Sequence, residues 1–219
     1  MLNYSEYLLN DREIERVVLN QVFDKRKVDP DNFYRTGWEY IPFTKDRIFA
    51  LETILTSVVG FGKEVLIFDF GRESILPVEI CIQNDIVYRI VKVSNNKPDI
   101  EQLQKVIKTN SAISYACISL TNETVHTFDL LNTISILNSN NIETIIDFNG
   151  DVSKLAGLDI NSFHFIASCS GVSNVSFIAA LRSKLVQTEG NARSYAKDLH
   201  AFWQQSLRNR KREIEPLFL

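Results

Sequence analysis

Three side chains with reactive groups follow predicted strands: His126, Asp147 and Cys169. A thiol, an imidazole and a carboxylate are the components of a nucleophilic site, in which a base activates the nucleophile. A cysteine at a strand end more commonly fills the core, so His126 and Cys169 are catalytic candidates by residue type alone. Asp147 has two interpretations. It either caps the turn at Asn149 and Gly150, as buried carboxylates that need donors often do, or it belongs to a ligand site.

These side chains must be positioned by an alternation of helices and strands. Helical periodicity, caps and stop signals predict helices at residues 46–59, 74–82, 98–109, 128–137 (with Thr127 as N-cap) and 192–212. Apolar or β-rich runs predict strands at residues 65–68, 86–93, 113–120, 142–146, 163–168 and 176–181. This order predicts an α/β fold with a mostly parallel sheet sandwiched by helices. The turns after Leu120, Ile146 and Ser168 should then share one crevice at the carboxyl ends of the strands.

The chain divides into an N-terminal helical segment, residues 1–39, and an α/β domain, residues 40–219, that ends in the long helix. In the first segment we predict a charged amphipathic helix at residues 11–27, followed by an irregular stretch that carries Pro30, Gly37 and Trp38.

Composition excludes several classes of function. The formal net charge of −3 gives no basic surface for nucleic acid or for an anionic membrane. The first residues are polar and acidic, unlike a secretory signal, and no apolar run is long enough to span a membrane. The three cysteines lack C-x-x-C spacing, which argues against a disulfide framework or a zinc site. We therefore expect a cytoplasmic protein.

Several segments resemble the class V, fold type I aminotransferases that use pyridoxal phosphate, most specifically the 2-aminoethylphosphonate–pyruvate transaminases. The segment ISYACISLTNET, ending in Glu123-Thr124, is similar to the family's strand and turn, and NIETIIDFNGD is similar to its aspartate-bearing strand. The segment GVSNVSFIAALRSKL is similar to the strand that follows the family's lysine. The most specific match is GNARSYAKDLHAFW, which keeps the spacing of Gly190, Arg193, Ser194, Asp198, Leu199 and Trp203.

The resemblance implies the fold of the large domain of these enzymes and assigns family roles to some residues. Asp147 falls on the aspartate that pairs with the pyridine nitrogen of the cofactor, and Glu123 and Thr124 fall on the cofactor-binding turn. The Schiff-base lysine has no counterpart, because a short segment is missing between Ile166 and Val172. The nearest lysines, Lys154 and Lys184, lie on other elements.

Other cofactor-binding features of the family are also replaced. Its small-residue phosphate cup corresponds to Lys45-Asp46-Arg47-Ile48, where bulky side chains and a carboxylate oppose a phosphate. Its stacking tyrosine corresponds to Glu73. The family's N-terminal P-G-P segment and small C-terminal domain have no counterpart either. We therefore expect the pyridoxal phosphate cofactor to be lost.

The resulting hypothesis is a degenerate aminotransferase-like protein, a pseudoenzyme with a binding or assembly role, linked to phosphonate or amino-acid metabolism. The resemblance implies a homodimer, or a heterodimer with an intact aminotransferase-family protein. The alternative is an enzyme or small-molecule-binding protein that reuses the crevice for different chemistry. We expect the crevice to be largely closed, with Ile48 filling it, Asp147 bonded to backbone amides, and Lys45 and Arg47 solvated.

Overall fold

A computed structural model describes residues 4–9, 16–19, 34–155, 158, 162–169 and 175–214. Its strands are β1 (Trp38–Phe43), β2 (Glu64–Asp69), β3 (Val87–Ser94), β4 (Lys97–Pro98), β5 (Ile113–Thr121), β6 (Glu143–Asn149), β7 (Phe165–Cys169) and β8 (Ser176–Leu181). They form one sheet in the order β1-β8-β7-β6-β5-β2-β3-β4. The five strands from β7 to β3 in that order are parallel, whereas β8 is antiparallel to both of its neighbours and β4 is antiparallel to β3. The predicted mostly parallel α/β sheet is confirmed.

Among the described residues, the α-helices with defined bounds are α1 (Arg47–Val58), α2 (Ile75–Gln83), α3 (Ile100–Thr109), α4 (Leu130–Ser139), α5 (Arg182–Val186) and α6 (Leu199–Ile214). Helix α1 begins after Asp46, whose Oδ1 accepts a hydrogen bond from the Phe49 amide at 2.9 Å. That bond satisfies one of the free donors at a helix start. The helix ends just before Gly60 and Gly62, as the sequence predicts.

Both faces of the sheet are covered. Successive residues of β2 alternate between two buried clusters: Leu66 and Phe68 belong to one, and Val65 and Ile67 to the other. Since side chains along a strand point alternately to opposite faces, the two clusters lie on opposite sides of the sheet. This is the arrangement expected of parallel strands sandwiched by helices.

Strand β1 corrects the prediction of an irregular stretch around Trp38. All six of its residues are buried, and it forms one edge of the sheet beside β8. The sequence does not predict this strand because it contains Glu39 and Pro42, and a charge and a proline are both unusual in a buried strand. The edge position tolerates Pro42, and the Glu39 carboxylate is paired with Arg182 and Arg210.

The starts of α4 and α6 also differ from prediction. Helix α4 begins at Leu130 with Asp129 at the N-cap, and Thr127 instead donates its hydroxyl to the Glu123 carbonyl at 2.9 Å. Helix α6 begins at Leu199, later than predicted. The preceding turn is fixed by Arg193, whose guanidinium donates to several main-chain carbonyls that include that of Val59, at 2.9 Å.

The N-terminal predictions are covered only in part. Residues 16–19 are helical, and the rest of the predicted helix at residues 11–27 lies outside the described residues. The division of the chain at residues 39 and 40 stays a prediction, and β1 runs across it. None of the described helices is long and apolar enough to cross a membrane.

Candidate ligand site at the carboxyl ends of the strands

A cavity of about 390 Å³ lies at the carboxyl ends of β5 and β6. Polar side chains make up much of its wall, among them Arg47, Arg72, Glu73, Ser119, Asp147 and Asn149. Arg47 is the first residue of α1, and Arg72 and Glu73 belong to a 3-10 turn after β2. The crevice predicted from the alternation of strands and helices is therefore formed by four separate parts of the chain.

Asp147 is the buried charge of this cavity, with a relative exposure of 1%. The guanidinium of Arg47 forms an ion pair with Oδ1, and the hydroxyl of Ser119 donates to Oδ2 at 3.0 Å. Ser119 is the register partner of Asp147 on β5, so the sheet itself places this donor beside the carboxylate. Burial raises the pKa of Asp147, and the contacts with Arg47 and Ser119 offset part of that rise.

The partners of Asp147 correct two predictions. We expected the carboxylate to bond to backbone amides, and we expected Arg47 to be solvated. Instead the Arg47 side chain is largely buried, with a relative exposure of 17%, and it neutralises Asp147. A buried carboxylate is costly without a counter-charge, and the start of α1 places a guanidinium within reach. Lys45, in contrast, lies over the ring of Tyr7.

The prediction of a closed crevice is wrong as well. Ile48, expected to fill it, has a relative exposure of 47% and does not line the cavity. The volume is instead bordered by charged and hydroxyl-bearing side chains. Because such groups keep favourable contacts with water, the cavity does not need to collapse as an apolar one would.

The predicted catalytic pair does not assemble around Asp147. His126 is exposed in the turn after β5, and Cys169 is partly exposed at the end of β7. Neither residue is part of the described cavity wall. Burial raises the pKa of the Cys169 thiol, with a partial offset from Arg47, so the environment does not favour a reactive thiolate.

The other two predicted site residues organise the turn that follows β5. The Thr124 hydroxyl accepts a hydrogen bond from the Thr121 amide at 2.8 Å, and Glu123 accepts one from the Thr121 hydroxyl at 3.2 Å. Thr121 itself lines the cavity, whereas Glu123 and Thr124 do not. In the described part of the chain, Glu123 and Thr124 therefore shape the turn beside Thr121 and do not border the cavity.

Sequence reasoning missed several residues of the wall, notably Arg72, Ser119 and Asn149. Ser119 and Asn149 had a usable signal, because each lies at or near the carboxyl end of a predicted strand next to the crevice. Arg72 had none, since its place depends on the 3-10 turn at Gly71–Ser74. No cluster of His, Cys, Asp and Glu that could hold a metal ion occurs among the described residues.

No protein-family model and no curated protein matches this sequence. Solved structures do match. One is ureidoglycine–glyoxylate aminotransferase from Bacillus subtilis, with a TM-score of 0.61, 14% identity, and coverage of 90% of this chain and 53% of that one. Another is alanine–glyoxylate aminotransferase from Nostoc sp., with a TM-score of 0.60, 13% identity, and coverage of 90% and 55%. A PLP-bound C-S lyase from Staphylococcus hominis gives a TM-score of 0.54 at 11% identity, with coverage of 91% and 56%.

These similarities establish the fold: a mostly parallel sheet with flanking helices, as in the large domain of fold type I aminotransferases. The chain spans a little over half the length of the structures that it matches. Because each of these structures is at most 14% identical to this chain, what the chain shares with them is the fold.

Proposed function

We propose that this chain is an aminotransferase-like pseudoenzyme that does not carry out transamination and that acts by binding or assembly. The observation that carries the proposal is the ion pair between Arg47 and Asp147. The family resemblance assigns Asp147 to the carboxylate that must receive a protonated pyridine nitrogen. A guanidinium already neutralises that carboxylate here, and its side chain borders the volume in which a cofactor ring would lie.

The other residues of the cavity also do not fit pyridoxal phosphate. At the start of α1, the Asp46 carboxylate takes the Phe49 amide, one of the donors that a phosphate would need, and adds a negative charge. Glu73 borders the cavity where the resemblance places a stacking aromatic ring. The sequence from residue 155 to residue 183 contains no lysine that could form a Schiff base.

An absorbance spectrum recorded after incubation with pyridoxal phosphate tests the proposal. We expect no internal-aldimine band, and no lysine adduct after borohydride reduction and peptide mass spectrometry. The variant Arg47→Ala is the matched control, because it exposes Asp147 to the cavity without supplying a lysine. An aldimine band that borohydride fixes onto one specific lysine of the unmodified chain would show that the proposal is wrong.

A second candidate function is the binding of a small molecule in the same crevice, and the open cavity of about 390 Å³ favours it. That volume falls within the range of ligand pockets, which is roughly 300–1,000 Å³. Phosphonates and amino acids are the first compounds to test. Thermal stabilisation by one of them that Arg72→Gln abolishes would support this function, since Arg72 borders the cavity without an ion pair to another described residue. Absence of stabilisation across both classes would leave assembly as the supported role.

The proposed assembly is a homodimer, or a heterodimer with an intact aminotransferase-family protein. The proposed assembly is supported by exposed apolar side chains on α2 and β3 that a partner could cover. These side chains are Ile75, Ile82, Val87 and Ile90. An obligate interface should bury about 2,000 Å² or more in total. Sedimentation at micromolar concentration should therefore show a dimer. A monomer that also recovers no aminotransferase-family partner from cells would contradict this part of the proposal.

A further inference from the structure

A second cavity, of about 400 Å³, lies at the opposite end of the sheet. It is lined by Asn138, Asn141, Ile142, Glu143, His164 and Lys184. Glu143 is the first residue of β6, whereas Asp147 lies toward the carboxyl end of the same strand. The two cavities therefore lie at opposite ends of one strand and form separate sites.

His164 is held in one tautomer in this wall. The Thr144 amide donates a hydrogen bond to Nδ1 at 3.0 Å, and a backbone N–H is only a donor. Nδ1 must therefore be unprotonated, and the neutral imidazole carries its proton on Nε2. The His164 amide returns a hydrogen bond to the Thr144 carbonyl at 3.3 Å, which fixes the residue between β6 and β7.

This tautomer decides what the cavity accepts. A metal ion would need the lone pair of Nε2, which a protonated nitrogen does not offer. Nε2–H instead needs a hydrogen-bond acceptor, and among the described residues no acceptor for it is seen. His164 therefore selects a ligand oxygen rather than a cation.

Lys184 adds a second donor to the same wall. Its ammonium bonds to Glu143 at 2.7 Å, and the two side chains are 22% and 20% exposed. An ammonium has three donor protons, so this ion pair leaves protons available to a ligand. Two groups of this wall, the His164 Nε2–H and the Lys184 ammonium, only donate hydrogen bonds. One group, the Glu143 carboxylate, only accepts them. The amides of Asn138 and Asn141 can supply either function.

We propose that this cavity is a binding site for a small oxyanion, either a carboxylate or a phosphate, held by His164 Nε2–H and the Lys184 ammonium. The excess of donors favours a ligand rich in acceptor oxygens, and charge-assisted hydrogen bonds to an oxyanion are the strongest that these groups form. Partial exposure of the ion pair leaves the ligand open to exchange with solvent. This site does not depend on the proposed function of the other cavity.

The test is a titration of the full chain with sodium phosphate and, separately, with sodium acetate, followed by amide NMR. We expect the Thr144 amide to shift with roughly millimolar affinity for at least one of the two anions. A response to phosphate alone identifies a phosphate site, and a response to both identifies a general oxyanion site. No saturable shift with either anion would overturn the proposal.

Matched variants separate this site from general charge effects. His164→Asn keeps an acceptor for the Thr144 amide but removes Nε2–H, so binding should weaken about tenfold. Lys184→Met should weaken it at least as much, while Lys184→Arg should retain it. Lys197→Met, which breaks a comparable ion pair with Glu52, should leave binding unchanged. Binding that survives both His164→Asn and Lys184→Met would overturn the proposal, as would zinc coordination by His164.

Discussion

At the carboxyl end of the sheet the buried carboxylate of Asp147 has one arginine partner, whereas toward the amino end the buried carboxylate of Glu39 has two. Both residues have a relative exposure of 1%. Arg182 and Arg210 each take one oxygen of Glu39, at 2.7 and 2.6 Å. One oxygen of Asp147 pairs with Arg47, and the other accepts a hydrogen bond from the Ser119 hydroxyl. Asp147 also borders a cavity.

The difference separates a charge that anchors the fold from a charge that belongs to a site. Glu39 joins β1 to α5 through Arg182 and to α6 through Arg210, and no oxygen is left for a ligand. Asp147 joins α1 to β6 through Arg47 alone. That ion pair borders an open volume, whereas Glu39 is not part of the described cavity wall.

The largest effect is expected for Glu39→Gln. This change removes the charge between two arginines, and breaking a buried ion pair costs about 3–5 kcal/mol of unfolding free energy. Urea denaturation measures the loss. Glu64→Gln is the matched control, because the Glu64 carboxylate, paired with Arg89, is more exposed than that of Glu39 and its loss should cost less than about 1 kcal/mol. Equal costs for the two variants would remove the distinction between an anchoring charge and a surface charge.

Arg47→Met should lower the free energy of unfolding by less than Glu39→Gln does, by about 2–3 kcal/mol at neutral pH. The loss is smaller because water in the adjacent cavity can reach the Asp147 carboxylate that is left unpaired. Burial already raises the pKa of Asp147, and loss of Arg47 should raise it further. When the folded-state pKa lies above the unfolded value, stability falls as pH rises between the two. The cost of Arg47→Met should therefore shrink as the pH is lowered.

Unfolding free energies at mildly acidic and neutral pH check this prediction, and Arg47→Met combined with Asp147→Asn is its control. The second change removes the unpaired charge, so the double variant should recover stability at neutral pH and lose the pH dependence. A cost for Arg47→Met that does not change with pH would mean that Asp147 is not the source of the loss.

A smaller effect is expected from the cap that orients Arg47. Asp46→Ala removes the hydrogen bond to the Phe49 amide and should cost about 1 kcal/mol. Asp129→Ala is the matched control, because Asp129 occupies the N-cap of α4 without a capping hydrogen bond from its side chain. Thermal or urea unfolding of the two variants should show the larger loss for Asp46. A reversed order would argue against the cap as the origin of the effect.

Most of the fold could be predicted because its signals are local. Helix α1 has helical periodicity, an N-cap at Asp46 and glycines after its end, and β2 is a short apolar run. Strand β1 could not be predicted, because Glu39 is compatible with burial only when arginines from the far end of the chain neutralise it. That compensation depends on tertiary contacts that no local pattern contains.

The sequence predicted where the candidate site lies but not which side chain pairs with Asp147 there. The order of strands and helices placed the crevice beside Asp147, where the cavity lies. Its partner could not be inferred, because Arg47 is distant in sequence and either orientation of a first-turn arginine is compatible with the helix pattern. The sequence also gave no sign of the amino-end cavity, since His164 and Lys184 follow no recognised spacing.

The smallest expected effect is a pH dependence of the unfolding free energy that arises from His164, at the amino end of the sheet. Burial lowers the pKa of His164, Lys184 lowers it further, and Glu143 opposes both. The neutral ring is required because Nδ1 accepts the Thr144 amide, a single hydrogen bond of about 1 kcal/mol. The unfolded-state pKa lies near the ordinary value, about 6.5. The stabilisation should therefore be complete above that value and lost as the pH falls from it toward the lower folded-state pKa of His164, opposite in sign to the effect of Asp147. The unfolding free energy of the unmodified chain should therefore fall as the pH is lowered, whereas His164→Asn, which keeps a non-titrating acceptor for the Thr144 amide, should not show this loss. The same pH dependence in both proteins would contradict the assigned tautomer.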